Sequence, residues 1–359
     1  LDGGVNPELE LGRFLTETAA FAHSPPIAGA LEYRGEAGDV ATVAILQGFV
    51  RNEADAWTHA LDNVHRFFDR VMTTRRDCLP VSNEFPARDL VASCDEPTSQ
   101  LALEFCNAYL DSAALLGQRT AEMHLALSGA AGNPQFDPEP FTEHYQRSLY
   151  QAMRGTARKS LQLLRSRLRD LPEDMVADAK LLLSSEEPLL GRFRAIVGRK
   201  FGGARIRCHG DYHLGQVLFT GKDFAIIDFE GEPTRRVSER QIKRSPLRDV
   251  AGMLRSFDYA SQSVLFNHFF GVAQQDDVPN LQCWAAFWTN WVSSRFLSAY
   301  LRTAAGALFL PTNREELRTL LEVFLLEKST CELAYELSYR PTWVKIPIAG
   351  MLRILGVEK

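Results

Sequence analysis

The residues best suited to chemistry stand close together: His209-Gly210-Asp211-Tyr212-His213-Leu214-Gly215-Gln216, then Asp228-Phe229-Glu230. An aspartate, an amide five positions on, and a second carboxylate twelve residues beyond the amide are the parts phosphoryl transfer requires. One carboxylate handles the proton of an attacking hydroxyl; the amide and the second carboxylate offer hard oxygens to Mg²⁺ on nucleotide phosphates. Asp211 is therefore the catalytic candidate, and Gln216 and Asp228 are the metal candidates.

Arg205–Cys208 reads as a strand running into this loop, where a rigid frame holds reactive groups open to substrate. Val217–Phe219 and a strand over 224–227 follow, the second ending at Asp228. Either acidic turn alone is ordinary loop chemistry. Both together, with the amide at its offset, resemble the kinase pattern H-R-D-x-x-x-x-N followed by D-F-G. His209 is a phosphate or substrate candidate, although a ring that pins the loop explains it better, and His213 could face the acceptor. A zinc site of His209, Asp211 and His213 would leave Gln216 and Asp228 unexplained. Asp249, opening the next helix, is better suited to capping or bracing than to catalysis. The basic run from Arg235 to Arg244 reads as a solvated face.

The elements that must position these groups are mostly helical. Asn6-Pro7-Glu8-Leu9-Glu10 carries a cap, a first-turn proline and early acids, so a helix is expected to about Ala20. Two strands follow, Ala28–Arg34 and Ala41–Val50, joined over Gly35–Gly38. Helical spacing then covers 53–75, 100–127, 141–171, one or two helices within 172–200, 247–262, 280–306 and 313–338, before a proline-bearing tail. Residues 78–99 read as a loop. Trp284, Trp288 and Trp291 recur at helical spacing and are expected in the core.

At 359 residues the chain is long enough for two domains, and 45% hydrophobic with 24% charged residues suits a packed core. A net charge of −5 argues against a nucleic-acid partner. No apolar run is long enough to cross a membrane, and the start does not resemble a signal peptide. The six cysteines, Cys78, Cys94, Cys106, Cys208, Cys283 and Cys331, form no C-x-x-C pair, so reduced thiols in a cytoplasmic protein are expected.

The segments H-G-D-Y-H-L-G-Q-V-L, I-I-D-F-E-G-E-P and K-R-S-P-L-R-D-V-A-G-M-L-R-S-F resemble the maltokinases, including the maltokinase-like regions fused to trehalose synthases. The opening N-P-E-L-E-L-G-R-F-L-T-E and the tail Y-E-L-S-Y-R-P-T-W-V-K-I-P-I look like that family too. The resemblance implies an α+β, protein-kinase-like fold of the aminoglycoside-phosphotransferase type. It would have the end of a small lobe over 1–50 and a helical large lobe over 51–359. It implies ATP- and Mg²⁺-dependent phosphorylation of maltose to maltose 1-phosphate in trehalose-to-α-glucan metabolism, with a trehalose synthase as a fused or associated partner.

Carried over by motif, Asp211 is catalytic and Gln216 and Asp228 hold magnesium. Glu10 matches the glutamate that pairs with the nucleotide-binding lysine, and Gln47, Gly48, Phe49 and Val50 match the hinge that meets adenine. Tyr335, Glu336, Tyr339 and Trp343 become candidates for the sugar, although the same aromatics could simply dock the tail. The alternatives are a kinase of an aminoglycoside, choline or another sugar, and a non-catalytic module partnering a synthase. The first lysine is Lys159, and no glycine-rich loop precedes Asn6. The expectation is a small lobe cut short, with little turnover of maltose by this chain alone and apolar surface exposed on the two N-terminal strands.

Overall fold

A computed structural model of the chain describes residues 4–35, 40–74, 80, 85, 89–129, 132–266 and 278–357. The turn expected over Gly35–Gly38, much of the 78–99 loop and Cys78 fall partly or wholly outside those residues. The chain divides into two compact units, Leu1–Glu139 with Ala204–Leu310, and Pro140–Gly203 with Pro311–Lys359. The N-terminal helix and strands are continuous with the helices that carry the loop, and two separate stretches make the second unit.

In the first unit, the Asn6 side chain accepts a hydrogen bond from the Glu8 N–H at 2.8 Å and caps the helix Pro7–Arg13. Proline at the first position costs nothing there, because its missing N–H would have had no helical partner. A π-helical turn, Phe14–Thr18, continues it. Leu9, Leu11, Phe14 and Leu15 are buried beneath this segment. The strands Ile27–Arg34 and Val40–Gln47 pair antiparallel as a two-stranded ribbon. As expected, the ribbon exposes apolar groups, with Leu31, Tyr33 and Leu46 more than half accessible.

A second small sheet places Val217–Phe219 between Ala54–Asp55 and Phe224–Ile226, all antiparallel. Only Ala204–Arg205 of the strand expected over 205–208 forms, and Ile206 then makes an isolated bridge to Arg244. Helices Ala56–Thr74, Asn107–Leu127, Leu247–Val264 and Val278–Thr303 enclose the core. Trp284, Trp288 and Trp291 are buried in it. Gly117 sets one close approach: a Cβ there would lie 2.1 Å from the Phe296 carbonyl oxygen. The helix expected over 100–127 is two, broken at Cys106 where Asn107 takes φ +21°. Burial pushes the Cys106 thiol well above its usual range, so it behaves as a small apolar core residue.

The second unit contains Glu143–Arg167, Glu173–Ser184, Glu186–Arg194 and Arg314–Tyr339. The proline-bearing tail is itself helical over Lys345–Leu355. Pro347 falls in its first turn, where no helical donor is lost, and Gly356 at φ +70° closes its C-terminus. Among the described residues no helix is long and apolar enough to cross a membrane.

Candidate active site

The His209–Gln216 loop is held mainly through its backbone. Reciprocal hydrogen bonds between Ile206 and Arg244, at 2.9 and 2.8 Å, fix the segment entering it. Asp249 on the Leu247–Val264 helix then braces the turn. Its Oδ2 accepts the His209 N–H at 2.8 Å and its Oδ1 the Gly210 N–H at 3.0 Å. Buried His124 contacts the same Oδ2 through Nε2 at 3.1 Å, and its Nδ1 meets the Tyr300 hydroxyl at 3.0 Å. Burial alone would raise the Asp249 pKa, but the hydrogen bond and charge of His124, with His209 and the Gly210 N–H, outweigh it and hold the carboxyl below its ordinary value.

Close backbone contacts complete the seat. The Tyr212 carbonyl lies so near Gly252 that a Cβ there would sit 2.5 Å from the oxygen. The Tyr212 hydroxyl bonds to Thr120 Oγ1 at 2.9 Å, and the Leu214 N–H donates to Ser256 Oγ at 3.1 Å. Gly210 takes φ +90°, and a Cβ there would lie 3.3 Å from the Gly231 Cα, so the loop and the 228–231 turn pass each other at glycines. The brace expected of Asp249 is present. His124 and Tyr300 carry no motif signal, and Ser256, though inside the K-R-S-P-L-R-D-V-A-G-M-L-R-S-F segment, was not singled out.

His209 is turned away from solvent. Its ring is buried, with Nε2 2.9 Å from the Ile227 carbonyl oxygen and the ring beside Tyr212 and Phe229. This corrects its place among the substrate candidates: the ring ties the loop to the strand that delivers Asp228. His213 is different. Its Nδ1 accepts the Gly215 N–H at 3.1 Å, which leaves the ring proton of the neutral form on Nε2, 4.0 Å from Asp211 Oδ2. Both side chains are partly accessible, at 39% and 26%.

Gln216 and Asp228 are brought together by the sheet. The Ile227 N–H donates to the Gln216 carbonyl at 3.0 Å, and Val217 pairs with Ile226. Asp228 adopts φ +63°, a left-handed conformation that Asp and Asn tolerate better than most side chains. An amide oxygen and a carboxylate are hard-oxygen donors of the kind that would hold Mg²⁺.

Asp228 opens onto a cleft of about 650 Å³, walled by Gln47, Gly48, Phe49 and Val50, by Thr42 to Ile45, and by Glu8 and Glu230. The four expected hinge residues thus share one cavity with Asp228. Among the described residues this lining holds three carboxylates and no lysine or arginine. Glu8 accepts a short hydrogen bond from the Gln47 side chain. Its pKa is raised, first by burial and further by the charges of Asp228 and Glu230, against the hydrogen bonds from Gln47 and the Phe229 backbone.

Glu10, expected to face the nucleotide, does not line this cleft. It pairs instead with buried Arg207 at 2.7 Å. Two positions along a helix turn about 200°, so Glu8 and Glu10 face opposite ways, and Glu8 is the one aimed at Asp228.

The tail candidates lie in the second unit. Glu336 is buried, and its two oxygens accept from Arg340 at 2.6 and 2.9 Å, so that carboxylate is already engaged rather than open to a sugar. The Arg340 guanidinium also lies 5.3 Å from the Tyr335 ring centre and 4.9 Å from that of Trp343. Tyr339 stays mostly exposed.

With this geometry in place, the likeness to known proteins can be stated. Residues 90–231 match the Phosphotransferase enzyme family (APH), a span holding Asp211, Gln216 and Asp228. A solved "Glucosamine kinase in complex with glucosamine, ADP and inorganic phosphate" superposes with a TM-score of 0.70 at 22% identity, covering 98% of this chain and 72% of that one. A second crystal form of glucosamine kinase gives 0.68 at 22% identity over 99% of this chain and 71% of that one. The fold is therefore the kinase-like, aminoglycoside-phosphotransferase type. Among curated proteins, the glucosamine kinase of Streptacidiphilus jiangxiensis is 28% identical over 154 residues, 43% of this chain and 32% of that protein. That of Mycolicibacterium smegmatis is 28% identical over 152 residues, 41% of this chain and 34% of that protein. The matched stretch thus spans about a third of the length of those relatives.

Proposed function

We propose that the chain is the catalytic part of an ATP-dependent sugar kinase. The observation that carries this is the arrangement of Asp211 and Gln216 on a loop braced by Asp249, with Asp228 at the end of the neighbouring strand and lining the cleft that contains Gln47–Val50. Asp211 accepts the proton of the sugar hydroxyl as its oxygen attacks the γ-phosphorus of ATP, the bond to the β,γ-bridging oxygen breaks and ADP leaves, and His213, with its Nε2 toward that carboxylate, steadies it. Gln216 and Asp228 would hold Mg²⁺, which supplies charge neutralisation on the phosphates when bound. Backbone groups of Gly48 and Val50 would meet the adenine edge.

Two acceptors deserve the first test. Glucosamine is favoured by the names of the relatives and maltose by the H-G-D-Y-H-L-G-Q and K-R-S-P-L-R-D-V-A-G segments, with product at the anomeric hydroxyl in the second case. Incubation with Mg²⁺, γ-labelled ATP and a panel of glucosamine, maltose, choline and an aminoglycoside separates the readings. Label on a sugar supports the proposal and names the acceptor. Label on choline or the aminoglycoside alone replaces it with another kinase activity. No label from a protein that still binds Mg²⁺–ATP points to a non-catalytic module.

A further inference from the structure

A second cavity, of about 340 Å³, lies on the opposite face of the N-terminal helix from the nucleotide cleft, and nothing above uses it. Arg205, Arg207 and Lys243 line it against Glu10 and Glu139, leaving one positive charge in excess. Most of these charges are already engaged. Lys243 Nζ donates to the carbonyls of Pro134 and Asp137 at 2.7 Å each and meets Glu139 at 3.0 Å. Arg205 holds the other Glu139 oxygen at 2.6 Å.

Arg207 is the exception. Only 2% of the residue is accessible, its Nη1 lies 2.7 Å from Glu10 Oε2, and its buried Nη2 makes no hydrogen bond among the described residues. Glu10 Oε2, though ion-paired, likewise makes no aligned hydrogen bond among them. A buried guanidinium N–H left without an acceptor is costly, and such groups in folded proteins ordinarily meet a partner. The cavity thus presents an unfilled cationic donor beside an unfilled anionic acceptor.

We propose that this cavity binds a singly protonated phosphate, either inorganic phosphate or the phosphate of a small monoester. A phosphate oxygen accepts from Arg207 Nη2 in a charge-assisted bond, while the P–OH donates to Glu10 Oε2. Sulfate has no proton to give Glu10 near neutral pH, so the pair selects phosphate over sulfate. The site is separate from Asp211 and Asp228 and does not rest on the sugar-kinase reading.

The test is to soak crystals of the whole chain, with Mg²⁺–ADP present, in arsenate or in selenate at about pH 6, near the second phosphate pKa. An anomalous peak within hydrogen-bond reach of Arg207 Nη2 is expected for arsenate and not for selenate. Calorimetry with inorganic phosphate and with glucose 6-phosphate distinguishes the free ion from a monoester. Arg207→Gln should weaken either by at least about tenfold. Glu10→Gln can accept from or donate to the anion, so it should bring sulfate to the affinity of phosphate, which keeps the idea testable if Arg207→Gln fails to fold. A peak only beside Asp228, binding unchanged in Arg207→Gln, or a sulfate preference unmoved by Glu10→Gln would overturn the assignment.

Discussion

Two carboxylates in the first unit, buried Asp249 under the His209–Gln216 loop and half-buried Glu8 in the cleft, stand in opposite electrostatic surroundings. Asp249 is met by two backbone N–H groups and an imidazole, and its pKa falls despite full burial. Glu8 faces Asp228 and Glu230, and its pKa rises. Burial acts the same way on both, so the difference lies in the neighbours. The loop that would move the proton is satisfied by the protein's own donors and needs nothing further to hold its shape. The cleft keeps a concentration of negative charge that a divalent metal ion would neutralise.

Removing the brace is the strongest way to break this contrast. Asp249→Ala leaves two N–H groups and His124 without their acceptor and should destabilise the protein by about 3–5 kcal/mol, read by urea unfolding. A loss under about 1 kcal/mol would mean the loop is held elsewhere. Gly252→Ala tests the same seat by crowding alone. Its Cβ would press on the Tyr212 carbonyl, and a cost of about 1–3 kcal/mol is expected, with transfer activity falling alongside.

Stability against pH sharpens the comparison, because the two carboxylates have opposite signs. The depressed Asp249 pKa gives stability that is complete above the ordinary carboxylate range and is lost as pH falls through it toward the folded-state value. The raised Glu8 pKa acts the other way: stability declines as pH climbs from the ordinary carboxylate value through the folded-state one. Glu8→Gln should therefore be more stable than the parent near pH 7, with the gain vanishing in acid, and Asp249→Asn should flatten the acid-side loss. Unfolding curves from acid to neutral pH check both, and a Glu8→Gln gain that grows in acid would show the sign to be wrong. The smallest effect is expected far from either group. Tyr339→Ala, at a mostly exposed ring in the second unit, should shift stability by less than about 0.5 kcal/mol by thermal melting.

Much of the loop was legible because residue types and spacing marked Asp211, Gln216 and Asp228 as candidates, and the structure sets them on a braced loop and the end of the strand beside it. The buried role of Asp249 followed from its place at a helix start. What could not be read was direction. Glu8 and Glu10 are the same residue type on one short helix, and only the helix's orientation reveals which faces Asp228. Asn6 and Pro7 fixed where that helix begins but not which way it is turned. Arg207 looked like an ordinary strand residue, since its pairing with Glu10 spans most of the chain. Glu336 carried the look of a sugar contact until Arg340, four residues on, proved to occupy it. The tail helix was hidden by its proline, which falls in the one turn where proline does no harm.

The central claim is that Asp211 takes the proton from a sugar hydroxyl on a loop whose shape does not depend on it. Single-turnover transfer from Mg²⁺–ATP to the best acceptor of the panel, in the parent and in Asp211→Asn, tests it most directly. The expected result is a transfer rate lower by about 10²–10⁴-fold, with Mg²⁺–ATP affinity and melting temperature unchanged. Asp211→Asn transferring phosphate at the parental rate would contradict it.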